Sequence, residues 1–98
     1  MRVTMSEAEI GIALEQLDGW KLLCEDDVFK LRRNFVFDNF SEAWAFMSRV
    51  ALLSEQLNHH PNWSNVYKKV EIVLFTHDVG GVSELDVRMA AKIDSMFR

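Results

Sequence analysis

The order of patterns along the chain constrains its fold more than any other feature. Three stretches with helical apolar spacing, each opened by a capping signal, enclose two pairs of extended stretches. Ser6-Glu7-Ala8-Glu9 has the Ser-x-x-Glu form of a capping box, in which two side chains satisfy backbone N–H groups that a helix start leaves unpaired. Ile10, Leu14 and Leu17 follow on one face, which predicts a first helix over roughly residues 7–17, ended at Asp18-Gly19. Trp20 to Glu25 and Val28 to Phe37 read as strands joined by the acidic turn Glu25-Asp26-Asp27. In the second of them Phe29, Leu31, Arg33 and Phe35 alternate with Val28, Lys30, Arg32 and Asn34, so Arg33 interrupts an otherwise apolar face. Asp38-Asn39 with Glu42 opens a second helix, whose stripe of Phe40, Ala43, Trp44, Met47, Val50, Ala51 and Leu57 reaches about Asn58. Phe40 and Trp44 are expected in the core. Pro61 disfavours helical geometry at His60 and stops that helix. Ser64 to Tyr67 and Val70 to Phe75 read as two more strands, with Val70, Ile72 and Leu74 on one face; Lys68-Lys69 is either a tight turn or a bend in one long strand. After the Gly80-Gly81 loop, Ser83-Glu84-Leu85-Asp86 caps a third helix with Val87, Ala90, Ala91, Ile93, Met96 and Phe97 on its apolar face. The resulting order, α-β-β-α-β-β-α, predicts an α+β two-layer sandwich with the helices on one face of a mostly antiparallel sheet.

With 98 residues the chain suffices for one domain, 1–98, and not for two. A domain of that size buries roughly 60–65% of the surface its unfolded chain exposes. Yet 49% of its residues are hydrophobic, including seven Phe and three Trp, so spare apolar surface is expected to drive self-association into a homodimer or homotetramer. The formal net charge of -4 argues against sequence-independent nucleic-acid binding, which needs clustered cations against phosphate. The basic pairs Arg32-Arg33 and Lys68-Lys69 are expected on strand edges instead. No stretch approaches the ~18 apolar residues of a membrane span. The single cysteine, Cys24, closes no intrachain disulfide, which fits a reducing, cytoplasmic setting, and its strand context predicts a buried thiol.

All three histidines fall in two short connecting segments, His59-His60-Pro61 and Thr76-His77-Asp78. Reactive groups tend to sit on such scaffolded loops, and imidazole accepts or donates a proton near neutral pH. A lone loop histidine is most often an inert surface residue; three of them in two linkers favour function. Zinc bound by the histidines with Glu55 or Asp78 is a rival reading. Against it, adjacent His59 and His60 point in different directions, and neither His-x-x-x-His nor Cys-x-x-Cys spacing occurs. Ser64 and Ser83 lack the Gly-x-Ser-x-Gly context of a hydrolase nucleophile, and Gly80-Gly81 is too sparse to cradle phosphate. Trp63, beside the histidine pair, either walls a flat heterocycle or fills the core.

Glu55-Gln56-Leu57-Asn58-His59-His60-Pro61-Asn62-Trp63, then Asn65 to Val70, Thr76-His77-Asp78 and Ser83 to Asp86 closely resemble the pterin-4a-carbinolamine dehydratase family. Trp20, Phe35 and Phe37 extend the resemblance over nearly the whole chain. It implies a four-stranded antiparallel sheet with three helices, dimers or tetramers, and a cytoplasmic enzyme that needs neither metal nor other cofactor. The implied reaction is dehydration of a 4a-hydroxy-tetrahydropterin to quinonoid dihydropterin and water, which recycles pterin for aromatic amino acid hydroxylation. Such a loss of water needs one group to take a proton from the pterin ring and another to protonate the departing hydroxyl. By motif correspondence His59, His60 and His77 are the implied catalytic residues. The implied substrate-binding residues are Glu55, Asn58, Pro61, Trp63, Thr76, Asp78 and Asp86. Some animal members carry Asp at the position of Asn58, Glu at Asp78 and Arg at Leu85. Animal members also bind a homeodomain transcription factor, so a non-enzymatic dimerisation or coactivator adaptor is the alternative implication.

Overall fold

Alternation, capping and turn chemistry place the elements in the expected order in the computed structural model, which describes residues 3–97. They are α1 (Glu7–Leu14), β1 (Lys21–Glu25), β2 (Val28–Val36), α2 (Phe40–Leu57), β3 (Asn62–Val66), β4 (Lys69–Leu74), a 3₁₀ turn (His77–Val79) and α3 (Glu84–Phe97). The four strands form one sheet in the order β1-β2-β4-β3, and every neighbouring pair is antiparallel.

The Ser6 capping box forms as read: Glu9 N–H donates to the Ser6 hydroxyl at 3.1 Å and Ser6 N–H donates to the Glu9 carboxylate at 2.8 Å. That backbone N–H, then the hydroxyl, holds the Glu9 carboxyl below its ordinary value. This contribution to the helix end is present above the ordinary carboxylate pKa and fades as pH falls through the lowered one. The α-helix ends at Leu14 rather than at residue 17, because the next N–H groups bond three residues back, with Leu17 N–H on Leu14 O at 3.1 Å. Asp26 and Asp27 make the two-residue turn between β1 and β2, both at positive φ, which their short side chains tolerate. Residues 67 and 68 are a tight turn, not a bend; Tyr67 sits at φ 53°, and the Asn65 side-chain amide clamps it through Tyr67 O (3.1 Å) and Lys69 O (2.9 Å).

One sheet face is buried. Leu31 and Phe35 of β2 and Val70, Ile72 and Leu74 of β4 meet Phe46, Met47, Val50 and Leu53 of α2 and Met89, Ala90 and Ile93 of α3. Phe35 lies 4.9 Å from Phe46, 5.0 Å from Phe97 and 6.1 Å from Trp20, centroid to centroid. Arg33 interrupts this face without leaving a bare charge: its guanidinium lies over Phe35 and pairs with Asp94 at 2.7 Å. Asp94 also accepts the Trp20 indole N–H at 2.7 Å.

Three expectations are corrected. Phe40 and Trp44 are not core: they are 47% and 57% exposed, stacked on one another along the outside of α2. The core side of that helix is completed by Phe46 and Leu53. Cys24 is exposed, because it sits at the open end of an edge strand, two residues before the turn pair. Neither basic pair lies on an edge strand: Lys68 is in the turn and Lys69 opens inner β4, while Arg32-Arg33 lie on inner β2, where Arg32 pairs across the open sheet face with Glu71 at 3.0 Å.

Candidate active site

The end of α2 aims the first two histidines. Asn58 adopts the left-handed conformation (φ 50°, ψ 45°), which Asn accepts at lower cost than most residues, and His59 N–H bonds back to Ser54 O at 3.0 Å. This reversal drops His59 inward, 7% exposed, and leaves His60 outward. His60 Nε2 stands 3.7 Å from Glu55 Oε2, both side chains largely in solvent. Pro61 and Trp63 are half-buried, and Trp63 packs from edge strand β3 against the core while keeping part of its surface exposed.

The third histidine rides on the loop after β4. Thr76 N–H donates to Gly81 O at 2.7 Å, and Gly80, at φ 67°, closes the 3₁₀ turn between them. His77 opens that turn, exposed, with its ring 4.3 Å from that of Phe75. Lys30 covers the same phenyl ring at 4.6 Å. Asp78 is exposed.

Asp86, in the first turn of α3, joins the two segments. Its carboxylate is fully buried, a state that demands partners. Oδ2 accepts the Ser83 backbone N–H at 2.9 Å and the Thr76 hydroxyl at 2.8 Å, and Oδ1 meets His59 Nε2. Thr76 Oγ1 and Ser83 Oγ are 2.8 Å apart. Thr76, itself buried, therefore points at Asp86 and Ser83, while its neighbour His77 points out.

Ser83 is the participant that sequence reading placed only as a helix cap. The cap is real, but its shorter bond runs from the Ser83 backbone N–H to the Asp86 side chain at 2.9 Å, while the hydroxyl lies 3.4 Å from the same oxygen and 2.8 Å from Thr76 Oγ1. The Ser-x-x-Asp spacing carried that signal; the Thr76 partner, on a separate element, did not show in it.

An open groove of about 630 Å³ lies on the other side of Ser83, bordered by Thr4, Met5, Gln56, Leu57 and Arg88, and none of the histidines lines it. Among the described residues, no group of three or more His, Cys, Asp or Glu is arranged to hold a metal ion. Chemically, the arrangement offers one buried imidazole braced by a carboxylate and two exposed imidazoles on the adjoining loops.

Similarities to known proteins bear on this arrangement. A protein of Mesorhizobium japonicum named "Putative pterin-4-alpha-carbinolamine dehydratase" is 50% identical over 96 residues, covering 98% of this chain and 96% of its own. A crystal structure from Brucella melitensis, described as a transcriptional coactivator/pterin dehydratase, superposes with a TM-score of 0.90 at 41% identity, covering 97% of this chain and 99% of that one. A pterin dehydratase-like protein, described as a RuBisCO assembly factor in the alpha-carboxysome, superposes at 0.68 with 26% identity, over 80% of this chain and 88% of that one. The family model for pterin 4 alpha carbinolamine dehydratase matches residues 3–96, which takes in both histidine segments and the carboxylate between them. On that match, and on half-identity along nearly its full length, the chain belongs to the pterin-4-alpha-carbinolamine dehydratase family.

Proposed function

We propose that this protein dehydrates a 4a-hydroxy-tetrahydropterin to quinonoid dihydropterin and water, as a step in recycling the pterin of aromatic amino acid hydroxylation. The observation that carries the reading is the convergence of His59 and of Thr76, the neighbour of His77, on one buried carboxylate, Asp86. Two loops that bear all three imidazoles are thereby fixed relative to one another.

His59 removes the proton from the ring nitrogen beside carbon 4a. The nitrogen lone pair then forms the C=N bond as the C–O bond breaks, and His77 gives the departing hydroxyl its proton, releasing water. His60, beside Glu55, orients the substrate. Glu55, Asn58 and Asp78 supply polar edges, and Pro61 and Trp63 supply apolar surface for a planar ring. No step calls on a metal or redox cofactor. The exposed, unpaired thiol of Cys24 suits the reducing cytoplasm.

A dehydration assay with freshly generated 4a-hydroxy-tetrahydropterin tests the reading. The protein is expected to accelerate loss of water well above the spontaneous rate, unaffected by chelator. A rate equal to the protein-free control would dismiss it.

A second reading, a non-enzymatic adaptor, is favoured by the outer side of α2, where Phe40, Trp44 and Leu52 are all exposed, and by the description of the two similar structures as a coactivator and an assembly factor. We assign that face to a second copy of the chain, in a homodimer or homotetramer. Trp44→Glu is expected to lower the mass seen in sedimentation while leaving the dehydration rate per chain within about twofold, since His59 and Asp86 bond within one chain. Unchanged mass would argue for a different occupant.

A further inference from the structure

We infer that Asp86, backed by Thr76 and Ser83, is a positioning group that keeps His59 protonated at Nε2 and offers Nδ1 to the reacting ring. The consequence for catalysis rests on the dehydratase reading above; the tautomer itself does not.

The protons are fixed by elimination. Asp86 is fully buried, so it acts on a substrate only through other groups. Its Oδ2 faces the Ser83 backbone N–H, which can only donate, at 2.9 Å. The same oxygen faces the Thr76 hydroxyl at 2.8 Å. Oδ2 is therefore an acceptor and carries no proton. At Oδ1 the partner is His59 Nε2, and imidazole is a stronger base than a carboxylate, so the shared proton belongs to the ring. The Thr76 and Ser83 hydroxyls, 2.8 Å apart, both lie within reach of Oδ2, Thr76 at 2.8 Å and Ser83 at 3.4 Å. Oδ2 is thus supplied with donors by the Ser83 N–H and by the hydroxyl pair, with His59 donating to Oδ1 from the other side. No buried side-chain nitrogen or oxygen among the described residues is left without a partner.

With Nε2 committed, Nδ1 is the nitrogen that the scaffold does not use: it makes no hydrogen bond to a described residue, and the ring keeps 7% exposure. The neutral ring thus has its lone pair at Nδ1, ready to take the proton from the pterin nitrogen. The imidazolium that results is stabilised by the carboxylate behind it. A helix cap alone explains only half of this geometry. The Ser83 N–H needs one carboxylate oxygen, whereas the second is spent on a ring from α2's end and the first is shared with a hydroxyl from a separate loop.

Asp86→Asn makes the test sharp. Its amide oxygen must face the two donors, Ser83 N–H and Thr76 O–H, which turns its NH₂ toward His59. The ring then has to accept at Nε2 and carry its proton on Nδ1. Long-range ¹H–¹⁵N NMR spectra, recorded above the pH at which the ring titrates, are expected to show Nε2–H in the wild type and Nδ1–H in Asp86→Asn. In the dehydration assay the variant is expected to lose about 10³–10⁴-fold in kcat with KM little changed, the size seen when a histidine is held in the wrong tautomer. The wild-type spectrum decides the tautomer even if Asp86→Asn does not fold, and Thr76→Val, which leaves the carboxylate facing the ring, is expected to keep Nε2–H. Nδ1–H in the wild type, or Nε2–H retained in Asp86→Asn, would overturn the inference. An inactive wild type with the expected spectra would instead count against the dehydratase reading alone.

Discussion

Replacement of His59 by alanine is expected to lower the turnover of a 4a-hydroxy-tetrahydropterin about 10²–10⁴-fold, the usual contribution of one correctly placed acid or base. The same change removes the donor to a fully buried carboxylate oxygen, which costs about 1–3 kcal/mol of stability. The two effects separate with His59→Gln. Glutamine still presents an N–H toward Asp86 but has no basic nitrogen, so it is expected to regain much of the lost melting temperature and none of the lost rate. Turnover by stopped-flow and melting by calorimetry give both numbers. His59→Gln with near wild-type turnover would remove His59 from the proton-transfer steps. His77→Ala, by contrast, alters an exposed side chain and is expected to lose rate with little change in melting.

Phe35→Ala is expected to be the most destabilising single truncation, at about 3–5 kcal/mol. Its ring is 1% exposed and touches a ring from each neighbouring layer: Phe46 of α2, Phe97 of α3 and Trp20 before β1. Removing it opens a cavity that aromatic neighbours cannot collapse into without leaving their own contacts. It also takes the support from under the Arg33 guanidinium, 4.5 Å away, whose pairing with Asp94 depends on staying in place. For a domain of this length the loss corresponds to a fall in Tm of roughly 15–35 °C. Phe35→Leu, which refills most of the volume, is expected to recover more than half of it. A fall in Tm of only a few degrees for the alanine variant would mean that the aromatic cluster repacks freely.

Much of the fold was legible in the sequence because local signals and tertiary placement agree. The capping residues Ser6, Asn39 and Ser83, the acidic hairpin turn and the alternation of Val70, Ile72 and Leu74 all specify what the structure contains. The misplacement of Phe40 and Trp44 has one physical origin, which is that α2 is apolar on both flanks of its buried stripe. Ala43, Met47 and Val50 are shared by two possible faces, one flanked by Phe40 and Trp44 and the other by Phe46 and Leu53. Periodicity gives the angular width of a stripe, and only packing against the sheet chooses its centre. Cys24 failed in a related way: alternation assigns the side of the sheet correctly, yet near the open end of β1 that side is not covered. At the site, the three histidines and Asp86 were legible as residue types on loops and a helix start. The division into buried His59 and exposed His60 was not, because it depends on the left-handed backbone at Asn58.

That reversal at Asn58 makes α2 a ruler. The helix delivers His59 to a carboxylate on α3, so both its rotational phase and its reach are fixed by a bond at its far end. Adding one residue would swing Asn58 by about 100° and advance it about 1.5 Å; adding four would nearly restore the angle but overshoot by about 6 Å. The hairpin turn and the segment before β1 carry no such tether to His59, and length variation among functional descendants of this chain belongs there, with α2 held at a constant count.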